Sequence, residues 1–191
     1  MRAKESETIR SFLAIDLAED LKPKIADVQR QFKKTDANIK YVPPENMHFT
    51  LKFFGNIDED MVEDISEAVE KVAGNYSSFD LSIGGCGSFP NQNTIKVLWI
   101  GIDRDSKIIE LQKDLDREFK KLGFKKERNY ISHLTIGRPR NNKNKNQVKD
   151  TINSLKNVKI GTMKVSKISL KKSTLTPQGP IYEDIKVFNL D

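Results

Sequence analysis

The chain predicts a mixed fold, α+β or α/β, on three observations. Apolar residues recur at helical spacing in some stretches and alternate, or run together briefly, in others. The two kinds of stretch are interleaved along the 191 residues rather than segregated. The links between them are short, and no linker sets off an independent domain. The length suits one ordinary domain or two small lobes sharing a core.

Ile9 to Asp16 is a short apolar run that suits a buried strand. Leu21, Ile25, Val28 and Phe32, at spacings of four, three and four, predict a helix. Ile39 to Val42 is extended and stops at Pro43-Pro44, because the residue before a proline is pushed out of the helical region. Met47 to Phe53 alternates as a strand, Gly55 breaks it, and Met61, Ile65, Val69 and Val72 stripe a second helix. Phe79 to Ile83 is a strand ended by Gly84-Gly85-Cys86-Gly87, and Thr94 to Ile102 is another. Ile108, Leu111, Leu115, Phe119 and Leu122 predict a helix that Gly123 terminates. Tyr130 to Ile136 is a strand, Asn141 to Gln147 a solvated polar loop, and Val148, Ile152 and Leu155 a short helix. Met163, Val165, Ile168 and Leu170 give a strand with an irregularity after Val165. Thr174 to Pro180 is a turn-rich link before a last strand through Ile181, Ile185, Val187 and Leu190.

Hydrophobic residues make up 37% and charged residues 31% of the chain. No purely apolar run is longer than Val97 to Ile100, far short of the roughly 20 residues a membrane-spanning helix needs. Residues 1–7 lack the apolar core of a secretory signal, and the first eight residues are expected to form a frayed extension. The single cysteine, Cys86, excludes an intramolecular disulfide and is expected to be an inert buried thiol. A soluble cytoplasmic protein is the expectation. The net charge of +6 is unevenly spread. Lys120 to Lys172 holds sixteen basic and two acidic residues, a balance of +14, and the remainder sums to −8. Such asymmetry fits a polyanionic partner, or a lysine-rich solvated surface.

The chain has two histidines, and both stand in the same pattern: His48-Phe49-Thr50-Leu51 and His133-Leu134-Thr135-Ile136. With nine threonines in the chain, independent placement would put Thr two positions after both histidines in only about 0.2% of shuffles. On a strand His48 and Thr50 share one face while Phe49 and Leu51 share the other, and the second tetrapeptide does likewise. Each strand would bury an apolar face and present an imidazole beside a hydroxyl. Two half-buried structural histidines are the competing reading, but packing gives no reason for both to carry the same neighbour. Zinc would want three or four ligands, and no acidic residue lies within two positions of either histidine. Two imidazoles and two hydroxyls suit in-line displacement at phosphorus. One ring takes a proton from the attacking oxygen, the other protonates the leaving oxygen, and the hydroxyls bind the non-bridging oxygens. A cyclic phosphate is the natural substrate, and a bell-shaped pH dependence with limbs either side of neutrality is expected.

These motifs and their flanks resemble the 2H phosphoesterase superfamily, and within it the RNA 2′,3′-cyclic 3′-phosphodiesterases, also called 2′-5′ RNA ligases. Arg10 to Ile15 is similar to the family's opening strand, and Val42 to Gly55 to its first motif with flanks. Gly87 to Pro90 and Val97 to Gly101 match the middle. Arg128, Tyr130 and His133 to Arg138 match the second motif, and Ser173, Leu175, Pro177, Gly179-Pro180 and Tyr182 the closing segment. Ser132 stands where the family often has Pro.

The resemblance implies a single bilobed α+β domain over residues 1–191, two lobes of small antiparallel sheet backed by helices and facing across a cleft. It implies hydrolysis of RNA 2′,3′-cyclic phosphate ends to 2′-phosphates without metal or other cofactor, with reversible 2′-5′ ligation. RNA ends, tRNA halves among them, are the implied partner of a monomer that meets no membrane. A nucleotide or 2′-5′ oligoadenylate phosphodiesterase, or an RNA-end-binding module without turnover, are the alternatives. Motif spacing assigns neither proton role. The family's usual roles make His48 the donor to the leaving 3′ oxygen and His133 the acceptor that activates water. Thr50, Thr135 and Arg138 would bind phosphate. Strict alternation puts Arg138 on the face opposite His133, so the strand must end or bulge near Gly137 for it to reach. Arg128 is either a surface residue or an RNA contact, and Phe12 and Tyr130 either line the cleft wall or stack on bases.

Overall fold

The computed structural model describes residues 8–103 and 107–191. Of the expected N-terminal extension, residues 1–7 lie outside the described residues, and Thr8 already opens β1 (Thr8–Asp16). The order continues α1 (Lys22–Lys33), β2 (Ile39–Tyr41), β3 (His48–Asp58), α2 (Glu59–Ala73), β4 (Phe79–Pro90), β5 (Ile95–Ile102) and α3 (Lys107–Lys121). It closes with β6 (Leu134–Pro139), α4 (Lys145–Ser154), β7 (Lys159–Val165), β8 (Lys167–Thr176) and β9 (Gly179–Asn189). No helix among the described residues is long and apolar enough to cross a membrane.

The strands pair antiparallel in the order β7-β4-β5-β6-β3-β1-β8-β9, with β2 added to β6. The path falls into two halves joined by one rung, Phe49 opposite Leu134, which are the residues following the two histidines. α1 and α4 pack against β6 and β4 of one half, α2 against β3 and β9 of the other, and α3 against both β3 and β4. These are the two expected lobes. Phe49, Phe32 and Phe119 are fully buried between sheet and helices, each contributing about 1.5–3 kcal/mol through burial.

Several elements differ from the local reading, each because tertiary pairing outweighs it. β3 runs past Gly55 to Asp58, because Gly55 takes a φ of 77° in a bulge opposite Ser11 and Phe12. β4 passes through Gly84 to Gly87 in the same way, with Gly85 at φ 72° in the bulge opposite β5. The irregularity after Val165 is the boundary between two strands, β7 pairing with β4 and β8 with β1. The turn-rich link shrinks to Pro177 and Gln178, and α4 begins at Lys145, inside the expected loop. β6 starts only at Leu134, so His133 stands just before its strand rather than within it.

Candidate active site

His48 opens β3, and the alternation read from its tetrapeptide holds. Phe49 and Leu51 are buried, while His48 and Thr50 are half-buried and line a cleft of about 400 Å³. His133 and Thr135 line the same cleft from the other half, above buried Leu134 and Ile136. The Phe49–Leu134 rung therefore sets the two motifs side by side.

Each imidazole is held in the same way. Nδ1 of His48 lies 2.8 Å from the Asn46 carbonyl, and Nδ1 of His133 lies 2.7 Å from the Ile131 carbonyl. A carbonyl oxygen only accepts, so both Nδ1 atoms carry the proton, and both Nε2 atoms are the sites left for proton transfer. Asn46 is itself anchored, its side-chain amide donating to the Pro180 carbonyl at 3.0 Å. Phe12 and Tyr182 pack on the His48 ring at centroid distances of 4.8 and 5.3 Å, and Phe89 packs edge-on to His133 at 5.0 Å.

Burial lowers the pKa of both histidines from the ordinary value. For His48 the bond to Asn46 and the carboxylate of Asp16, its partner across the β1–β3 ladder, act the other way, while Lys171 adds to the lowering. For His133 the Ile131 bond opposes burial and Arg138 reinforces it. Lys171 is clamped between Asp16 at 3.0 Å and Asp184 at 2.6 Å.

Arg138 lines the cleft, and the bulge it requires is present. Leu98 pairs with Gly137 but Trp99 with Thr135, so the β6 ladder skips Ile136 and the next side chains change face. Phe12 is a buried wall residue, 3% exposed, with its ring against His48. Tyr130 lies behind Thr50, donating its hydroxyl to the Thr50 carbonyl at 3.0 Å, and burial pushes its pKa up to about 12. It borders a neighbouring recess shared with Thr50, Phe89 and His133. Arg128 is exposed and lines neither hollow.

Local reading assigned no site role to Arg10, Lys40 or Tyr182, which also line the cleft. Arg10 was within reach of the alternation argument, two positions before Phe12 on β1. Lys40 and Tyr182 come to the cleft through non-local pairing, of β2 with β6 and β9 with β8. A second omission is Lys52, buried behind the cleft. Its ammonium donates to Asp116 of α3 at 2.8 Å and to the Lys125 carbonyl, and Asp116 accepts from the Glu127 amide at 2.9 Å. This clasp and the Tyr130–Thr50 bond draw residues 125–130 toward α3 and β3, which is why His133 precedes its strand instead of continuing it.

The chain matches the LigT-like phosphoesterase family in two blocks, residues 15–99 and 100–182. It belongs to that family. Among curated relatives of this phosphoesterase, one from Methanothermobacter thermautotrophicus is 45% identical over 182 residues, covering 95% of this chain and 99% of the relative. One from Methanocaldococcus jannaschii is 43% identical over 178 residues, covering 93% and 99%. Both are named RNA 2′,3′-cyclic phosphodiesterase. The fold is shared with a Thermus thermophilus protein (TM-score 0.79, 24% identity, 95% of this chain and 98% of that one). It is shared also with Escherichia coli LigT in its apo form (TM-score 0.75, 21% identity, 97% and 99%).

Proposed function

We propose that this phosphoesterase opens RNA 2′,3′-cyclic phosphate ends to 2′-phosphates by proton transfer between His48, His133 and substrate, without a metal ion. The paired Nδ1–carbonyl bonds carry the reading, because they leave two Nε2 atoms free for acid–base work in one cleft. The names of relatives at 45% and 43% identity supply the substrate class.

A water beside His133 attacks phosphorus in line with the P–O3′ bond, and Nε2 of His133 takes its proton as the new P–O bond forms. The P–O3′ bond breaks with its electron pair on O3′, which receives the proton of the His48 imidazolium. The product is a 2′-phosphate beside a free 3′-hydroxyl, and solvent returns both rings to their starting state. Thr50 and Thr135 hydroxyls and the Arg138 guanidinium serve the non-bridging oxygens, where negative charge grows. A 5′-hydroxyl in place of water would form a 2′-5′ linkage by the same step. The reading takes residues 1–191 as one bilobed domain acting as a cytoplasmic monomer on RNA ends, tRNA halves among them, since one copy supplies both histidines and both threonines.

The test is incubation with an oligonucleotide ending in a 2′,3′-cyclic phosphate, in excess chelator. A 2′-phosphate product is expected. A 3′-phosphate product, or turnover that needs added metal, would overturn the reading.

A further inference from the structure

Cations that lie close to carboxylates in this protein are paired, Lys52 and Lys171 among them. Three cations at the cleft are not. Among the described residues Arg10, Lys40 and Arg138 line the cleft with no carboxylate in ion-pair distance. Unpaired cations converging on one hollow mark an anion site, and their number bears on how many anions it takes.

The three are not equivalent. Burial raises the pKa of the Tyr182 hydroxyl, Arg138 and then Arg10 act against that rise, and Arg138 also acts on His133. Tyr182 in turn packs on His48. Both guanidiniums thus act on groups that stand beside the histidines, that of Arg10 from over the Phe53 ring, 4.7 Å from its centroid. A cyclic phosphodiester carries a single negative charge, which two guanidiniums and two threonine hydroxyls already serve.

Lys40 is placed differently. All three side chains are exposed, but Lys40 stands at the centre of β2, directly opposite Arg138 in the β2–β6 ladder. Residues directly opposite in an antiparallel pair share a face, so the ammonium stands beside the Arg138 side chain on the cleft side. Its neighbours Ile39 and Tyr41 pack against the core, Tyr41 bordering the cleft as well. Lys40 is therefore a further, outward cation, one strand beyond the arginine that serves the reacting phosphate.

We infer that Lys40 is a subsite for the phosphodiester immediately 5′ of the cyclic end, so that the enzyme prefers an RNA chain to a mononucleotide. This rests on the function proposed above and names its substrate class more narrowly. The chain would leave the cleft over the β2–β6 edge. The +14 segment does not build this preference, since Arg10 and Lys40 both lie outside it.

The experiment compares uridine 2′,3′-cyclic phosphate with a dinucleotide ending in the same group, for the wild type, Lys40→Gln and Lys40→Arg, across a salt series. Lys40→Gln should lower the dinucleotide-to-mononucleotide ratio of kcat/KM by about two- to fivefold at low salt. It should also make the dinucleotide's kcat/KM less sensitive to salt, because one screened phosphate contact is lost. Lys40→Arg should keep both. An unchanged ratio and salt sensitivity, or equal losses on both substrates, would overturn the subsite. Affinity for dinucleotide and mononucleotide 2′-phosphates, measured in parallel, separates the two readings. If the wild type turns over neither substrate yet Lys40→Gln weakens only dinucleotide binding, the hydrolase reading falls and the subsite stands.

Discussion

Replacing His48 or His133 by Ala removes one proton-transfer group and one hydrogen bond to a carbonyl two residues earlier, and leaves the buried face of each motif untouched. Each replacement should lower kcat by about 10²–10⁴ while the unfolding midpoint stays close to wild type. If His133→Ala unfolds the protein while its activity per folded molecule is unchanged, the ring is structural. Thr50→Val or Thr135→Val keeps the volume and loses a donor to a charged oxygen, and should raise the barrier by about 1.5–3 kcal/mol, read from kcat/KM. The pH profile should be a bell displaced to the acid side of neutrality rather than centred on it, because burial favours the neutral form of both rings. Its two apparent values belong to the pair. Loss of the donor proton sets the alkaline limb, and the Asp16 carboxylate, after the Asn46 carbonyl, favours the charged His48 ring. Asp16→Asn should therefore move that limb to lower pH, and an alkaline limb that stays in place would deny Asp16 this influence.

Elements were legible wherever one local pattern decided them. The helical stripes became α1, α2, α3 and α4, and the alternation in both His-x-Thr-x tetrapeptides placed four side chains on the cleft side. Glycine was the misleading signal. Gly55 and Gly84 to Gly87 read as chain breaks, yet they sit within β3 and β4, because ladder pairing, with β1 for β3 and with β5 and β7 for β4, carries each strand through a bulge. The segment before His133 is set by long-range bonds, chief among them the buried Lys52–Asp116 pair, whose side chains are 4% and 2% exposed. Lys52→Met would strand a buried carboxylate and should destabilise the fold by about 3–5 kcal/mol in urea denaturation. Lys52→Met with Asp116→Leu removes both charges and should recover most of that loss. A double variant no more stable than the single one would show that the pair does not act as a unit.

At the scale of the molecule, one ladder rung joins the halves of the sheet, but one hydrophobic cluster runs through both. Apolar continuity of that extent should make unfolding a single transition despite the two lobes. Trp99 reports on β5 in one half, while far-UV circular dichroism reports on all helices and strands. Their urea transitions should coincide, and separated midpoints would mean two independently folding units.

The placement of the two imidazoles and two hydroxyls could be read from the linear chain because strand alternation and the paired tetrapeptides are local. An imidazole and the hydroxyl two positions on share a face whatever the rest of the chain does. The company those groups keep could not be read that way. Arg138 reaches the cleft because the β5–β6 ladder skips Ile136, Lys40 because β2 pairs with β6, and Tyr182 because β9 folds back on β8. Arg128, equally basic and nearer to His133 in sequence than Lys40 or Arg10, stays outside. Register and bulges arise from contacts such as Phe49–Leu134 and Lys52–Asp116, made between residues far apart in the chain. Those contacts carry the packing and charge energies that choose among the faces a local pattern leaves open.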